Sequence, residues 1–183
     1  MIDDKRKEEL ETLLQWAICA NDKYYYNMSD DLFGVAVKGN LPEPYIHQRK
    51  IGFEEFRAEM SEKLAVIHCA EEIHYMIIHY NYDDNPWVIE QLIINPDCDI
   101  TSAKIAYWRC QPDYYYNNFG SPSNCPIEKM SNGWANVLIE IEKKATSIGF
   151  KNSLTSINEL DTEQPRGLDF SSEPYCYLPP ILR

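Results

Sequence analysis

Residues 85–110, which read NPWVIEQLIINPDCDITSAKIAYWRC, predict a short helical hairpin. Asn85 can cap a helix whose first position is Pro86, because the N–H that proline lacks has no partner in the first turn of a helix. Asn95, followed by a proline, ends this helix, and Asp99 can cap a second one. Apolar residues recur at helical spacing in both helices: Val88, Ile89, Leu92 and Ile93 in the first, and Ala103, Ala106, Tyr107 and Cys110 in the second.

The residues before this hairpin predict further helices and one loop. Ser29 and Gly39 fit the cap and the stop of a short helix, although its β-branched residues leave a strand possible. Residues 40–52, which contain two prolines, predict a loop. An apolar stripe over residues 53–80 predicts either one long helix or two. The first helix of the chain is marked by Leu10, Leu13, Leu14, Ala17 and Ile18.

The residues after the hairpin predict a loop over 111–126, one more helix that stops at Gly149, and an irregular strap over 161–183 that lies on the body. The sequence therefore predicts an all-α protein, built as stacked αα-hairpins or as an irregular helical bundle. We expect a single domain over 1–183, with residues 1–160 as its helical body. The helix before Gly149 is marked by Trp134, Val137, Leu138, Ile141, Ala145 and Ile148.

The chain is strongly acidic. Its 183 residues include 17 Lys and Arg against 29 Asp and Glu, which gives a formal net charge of −12. A surface of this charge repels phosphate backbones and anionic lipid headgroups, so we expect neither nucleic acid nor a membrane as a partner. A basic protein or a cation fits the charge better. With 44% hydrophobic and 13% aromatic residues, the chain has the composition of a folded domain rather than of a disordered polyanion.

The sequence shows no targeting segment. Residues 1–9 lead into charged, helix-like sequence without the apolar stretch of a signal peptide, and no run of 18 apolar residues follows. We therefore expect a soluble, cytoplasmic protein. The six cysteines contain no C-x-x-C pair, and we expect them to be reduced and structural.

The common signatures of enzymes are missing. The phosphate-loop, dinucleotide, H-E-x-x-H and G-x-S-x-G motifs do not occur. Residues 68–74 are the only cluster with metal-ligand character, and in it Glu71 and His74 have the spacing of half a di-iron site. The second E-x-x-H that such a site needs is absent, so we expect these side chains on a helix flank. We expect no catalytic residue, no metal and no cofactor.

The densest polar cluster lies at residues 81–86, where Asp83 and Asp84 stand beside aromatic side chains. Three interpretations are open. The two carboxylates can cap the following helix, contact a partner, or act in calcium binding or acid–base catalysis. Capping requires the fewest assumptions, because a helix N-terminus attracts negative charge.

Two tyrosine triplets, 24–26 and 114–116, both lie in contexts typical of turns. Consecutive side chains cannot all face one core, so we expect part of each triplet to be accessible. These tyrosines either pack with their hydroxyls in water or form a binding surface, since tyrosine offers large, stiff contact area with a polar tip.

Three pieces of sequence, at residues 79–84, 93–100 and 101–108, follow one another in a recognisable order. This order resembles a small bacterial domain family of unknown function, whose members read N-(W/Y)-D-D, an apolar helix, N-P-x-C-D, and a T-A-rich helix that closes on an aromatic pair. The chain departs from that pattern at Asn85-Pro86, where a glycine is expected, and at Ser102-Ala103. The resemblance implies an all-helical domain of the kind encoded near polymorphic toxins.

The charge, the tyrosines and this resemblance together suggest an immunity protein. We expect it to neutralise a cognate basic toxin, with a nuclease as the first candidate, by occluding its active site or substrate groove. The residues expected to contact the toxin are Tyr82, Asp83, Asp84, Tyr114, Tyr115 and Tyr116.

Two alternatives remain open. One is a metal-dependent or carboxylate-based enzyme that uses Glu71, His74, Asp83 and Asp84. The other is a helical adaptor that binds a nonbasic partner, whose binding should depend less on salt.

Overall fold

The structure, a computed structural model, describes residues 2–129, 132–152, 154, 169–173 and 175–183. These residues contain nine α-helices and no strand, so the predicted all-α class is confirmed. The helices are α1 (Asp4–Cys19), α2 (Asp30–Lys38), α3 (Glu43–Ile51), α4 (Phe53–Ala65), α5 (Ala70–His79), α6 (Trp87–Ile94), α7 (Ile100–Arg109), α8 (Pro112–Phe119) and α9 (Asn132–Thr146).

Polar side chains fix where the central helices begin. Asp99 accepts a hydrogen bond from the backbone N–H of Thr101 at 2.8 Å, which confirms the predicted cap of α7. The Asn85 side chain accepts one from the N–H of Trp87 at 3.2 Å at the start of α6. Each bond satisfies a backbone donor that has no partner inside the helix. Both predicted helices are therefore present as α6 and α7, but they do not pack mainly on each other: α6 packs against α9, and α7 packs against α5.

Two segments predicted as loops are helical. α3 lies within residues 40–52, and α8 lies within residues 111–126. The prolines explain both errors. Pro44 and Pro112 stand in the first turn of their helices, where proline is favoured, rather than in an interior where it would break the helix. The stripe over residues 53–80 forms two helices, α4 and α5.

The core lies where α6 packs against α9, α5 against α7, and α1 against α5. Asn95 joins this core to the N-terminal helices. Its buried amide donates to the carbonyl oxygens of Leu64 at 3.2 Å, in the last turn of α4, and of Ile67 at 3.1 Å, just after α4. The largest fully buried side chains include Phe56, Ile73, Ile77, Ile89, Leu92 and Tyr107.

The described part of the predicted strap lies on the helical body. Leu178 and Leu182 are buried, and the indole N–H of Trp108 donates to the carbonyl oxygen of Leu182 at 3.1 Å. Residues 155–168, where the predicted body meets the predicted strap, lie outside the described residues.

In the described part of the chain, no helix has both the length and the apolar composition that crossing a membrane requires. All six cysteines are free thiols, and four of them are buried.

Candidate functional site

A cleft of about 330 Å³ brings together four of the six residues expected to contact a partner. Tyr82 and Asp83 come from the connection between α5 and α6, whereas Tyr114 and Tyr115 come from α8. The other lining residues are Arg109, Cys110, Gln111 and Trp134.

The wall formed by Tyr82 is held by aromatic contacts. Its ring stacks on the indole of Trp134, with 5.3 Å between ring centroids and 21° between planes. The ring of Tyr80 meets Tyr82 edge-on at 5.6 Å. Tyr80 is itself buried and donates a hydrogen bond to the carbonyl oxygen of Asn85, so the connection between α5 and α6 is anchored on both sides of Tyr82.

Arg109 shapes the neighbouring wall. Its Nη1 donates to the carbonyl oxygens of Ile78 at 2.8 Å and Ile77 at 3.3 Å, in the last turn of α5. Its guanidinium lies 5.4 Å from the centroid of the Tyr82 ring, a cation–π contact. A cation is favoured at this place because the C-terminal end of a helix carries partial negative charge. The C-terminal end of α5 therefore offsets part of the positive charge of Arg109.

The second tyrosine triplet is helical, so its members point in different directions. Tyr114 is 40% exposed and faces the cleft, while Tyr115 and Tyr116 are only 3% and 8% exposed. The expectation that part of each triplet is accessible is confirmed, since Tyr24 is 68% exposed in its turn. α8 turns Tyr115 and Tyr116 inward, so little of either side chain is accessible for the partner contact that was predicted for them.

The two aspartates of the polar cluster have different environments. Asp83 is exposed and lines the cleft, whereas Asp84 is half-buried and does not. Burial raises the pKa of Tyr80, and the charge of Asp84 adds to the rise. Neither aspartate caps α6, since Asn85 accepts the hydrogen bond at its start. The capping interpretation is therefore wrong.

Gln111 at the mouth of the cleft has a left-handed backbone, with φ of 54° and ψ of 62°. This conformation is uncommon for a residue other than glycine, asparagine or aspartate and costs about 1–2 kcal/mol. A proline follows Gln111 and disfavours the right-handed helical region for it. Strain of this kind is often found at functional sites.

A half-buried carboxylate bonds to one of the cleft helices. Glu142 on α9 accepts hydrogen bonds from the hydroxyls of Tyr107 at 2.7 Å and Tyr116 at 3.1 Å. Burial raises the pKa of Glu142, although the two hydrogen bonds oppose that rise. Tyr116 therefore joins α8 to α9 and supports the cleft from inside.

The residues of the metal-dependent alternative are not arranged as a metal centre. His74 is buried with its Nδ1 3.0 Å from the Ser102 hydroxyl, whereas Glu71 is exposed. Among the residues that the structure describes, no three His, Cys, Asp or Glu side chains form a group that could hold a metal ion. In that part of the chain, the metal-dependent alternative lacks the convergent site that it requires.

Four residues that line the cleft were not predicted as site residues: Arg109, Cys110, Gln111 and Trp134. The position of Gln111 before a proline was a local signal of unusual backbone. Arg109 and Trp134 take their roles from contacts with Tyr82, which lies far from both in the sequence.

A known family model matches the part of the chain that forms the cleft. Residues 69–146 match the family model described as a domain of unknown function (DUF4274). The match includes every residue that lines the cleft and the whole segment 79–116. No curated protein and no solved structure gives a significant match. A DUF4274 domain therefore spans residues 69–146, from α5 to α9.

Proposed function

We propose that this protein is an immunity protein that binds and neutralises a cognate basic toxin, with a nuclease as the first candidate. Binding would occlude the active site or the substrate groove of the toxin. The observation that carries the proposal is the cleft, where Tyr82, Asp83 and Tyr114 come together from two distant segments.

The chemistry of this surface suits a protein partner with positive charge. Exposed and half-exposed aromatic rings supply contact area that gains free energy when water is removed, and such residues recur at binding hot spots. A nuclease groove is lined with Lys and Arg for phosphate, so a chain of net charge −12 would be steered toward it. Inhibition of this kind requires tight binding at the groove of the toxin, and it does not require a catalytic residue in the immunity protein. We expect the protein to act in the cytoplasm, where a nuclease toxin meets nucleic acid.

A pocket at the N-terminal end supports a second candidate, a helical adaptor for a nonbasic partner. This pocket of about 360 Å³ lies between α1 and α4, and Trp16, Val66 and Ile67 are among its lining residues. An apolar side chain of a partner would fit there without charge complementarity.

Co-expression with the product of the adjacent upstream gene in a bacterial host tests the proposal. The product alone should stop growth, the two together should permit growth, and the purified proteins should elute from a sizing column as one complex. Unchanged toxicity and unchanged elution volumes would contradict the proposal. Affinity that falls steeply with added salt would favour the immunity protein, whereas salt-independent affinity would favour the adaptor.

A further inference from the structure

We infer that the cleft receives one arginine or lysine side chain of its partner. This inference rests on the proposed function, because it names the group that a basic toxin would present. The cleft has a volume of about 330 Å³, which is at the small end of the range for ligand pockets and suits a single side chain.

The aromatic lining can hold such a side chain. The indole of Trp134 and the half-exposed ring of Tyr114 line the cleft and offer apolar surface to a long aliphatic stem. Aromatic faces also attract a guanidinium or an ammonium group through their quadrupoles. The Tyr82 ring is already contacted by Trp134 and by the guanidinium of Arg109, so an incoming cation would meet Trp134 and Tyr114.

The group at the cleft that favours a cation is the carboxylate of Asp83. The C-terminal ends of α5 and α7, with partial negative charge, and the N-terminal ends of α8 and α9, with partial positive charge, all lie near the cleft, so the helix ends favour neither sign. Arg109 compensates the end of α5 through its bonds to two carbonyl oxygens. Asp83 is exposed at the cleft, and its carboxylate takes part in none of the ion pairs among the described residues. Its charge is therefore available to a ligand.

Gln111 adds a polar group at the mouth. Its exposed side chain carries an amide oxygen that can accept a hydrogen bond from a guanidinium or an ammonium group. The left-handed backbone of Gln111 fixes where α8 begins and thus where Tyr114 stands beside it. Aromatic faces, a carboxylate and an amide oxygen together form the set of groups that recognises a basic side chain.

Nuclear magnetic resonance on the ¹⁵N-labelled full chain tests this inference. The probe is the capped peptide acetyl-Gly-Ala-Arg-Ala-Gly-amide, with a peptide that carries neutral citrulline in place of arginine as its control. The indole N–H signal of Trp134, identified by its loss in Trp134→Phe, reports on the cleft. The arginine peptide should shift this signal in a saturable way, and citrulline should bind more weakly because it lacks the charge.

Two variants, one at the cleft and one at a control position, test which carboxylate is needed for binding. Asp83→Asn should weaken binding of the arginine peptide by about fivefold or more, because the carboxylate faces the ligand. Asp31→Asn, which removes an exposed carboxylate at the start of α2, should leave binding unchanged. An unshifted Trp134 signal, equal binding of both peptides, or equal binding by wild type and Asp83→Asn would overturn the inference.

The two proposals fail in different ways. If the chain rescues growth from the toxin but does not bind the arginine peptide, the inference that the cleft binds a basic side chain is refuted and the immunity role stands. Binding of the peptide by a chain that does not rescue growth would support the cation cleft and refute the immunity role.

Discussion

The ring of Tyr82 stacks on the indole of Trp134 with 5.3 Å between their centroids. Tyr82 follows α5, and Trp134 lies in the first turn of α9, so this contact joins two segments that are distant in the chain. The shape of the cleft therefore depends on how closely α9 approaches the connection between α5 and α6. Gly133 and Pro86 lie at that approach.

Gly133→Ala should destabilise the fold by about 1–3 kcal/mol. A Cβ atom at position 133 would lie 2.5 Å from Cγ of Pro86, and the proline ring cannot turn away as a flexible side chain can. Urea unfolding measures the change. Gly34→Ala is the matched control, because position 34 is also helical but has open space around it, and there alanine should stabilise α2 by up to about 1 kcal/mol. Equal effects of the two substitutions would refute the close approach.

Gln111→Gly should raise the free energy of unfolding by about 0.5–1 kcal/mol. Glycine relieves the left-handed strain of about 1–2 kcal/mol, and part of that gain is offset by the greater freedom of glycine in the unfolded chain. Asn40→Gly is the control, since Asn40 has φ of 66° but asparagine tolerates this region better, so its gain should be smaller. A loss of stability in Gln111→Gly would show that Gln111 is not strained.

Glu142→Gln should gain stability relative to the wild type as the pH rises. Burial raises the pKa of Glu142 in the folded chain, so between its ordinary and its raised value the folded state holds the proton that the unfolded state releases. The wild type therefore loses stability across this window as pH increases, whereas the neutral glutamine does not. Thermal unfolding from acid to neutral pH measures the difference between the two proteins.

Glu128→Gln is the control for this series, because it removes an exposed carboxylate outside the core. Its difference from the wild type should stay nearly constant with pH. A difference between Glu142→Gln and the wild type that is also constant would contradict the buried state of Glu142.

Local signals in the sequence were sufficient for most helices. The cap at Asp99, the Asn85-Pro86 pair and the apolar spacing around them predicted α6 and α7, although α6 begins one residue later than predicted, at Trp87. α3 and α8 were not predicted because each contains a proline. Proline is favourable in the first turn of a helix and disruptive in its interior, and the residue type alone does not show which of the two positions it occupies. Both helices are also short, with eight or nine residues, so their apolar periodicity is weak.

The candidate site was predictable only in part. Tyr82, Asp83 and Tyr114 carry polar and aromatic chemistry that the sequence shows, and the structure brings them to one cleft. The sequence could not show that the Tyr116 hydroxyl donates to Glu142, because this half-buried partner lies on another helix. Trp134 contacts Tyr82, which lies in a distant segment of the chain, and no local pattern in the sequence predicts such a contact.

The most direct test of the account compares the affinities of two double variants for the toxin, by calorimetry at physiological salt. Asp83→Asn with Tyr114→Ala alters the cleft, whereas Asp31→Asn with Tyr24→Ala removes the same two chemical groups from other exposed positions. Thermal unfolding first establishes that both variants fold. The account predicts a loss of affinity of about 100-fold or more for the cleft variant and less than about threefold for the other. Equal affinities, or a larger loss in the second variant, would contradict a binding role for the cleft.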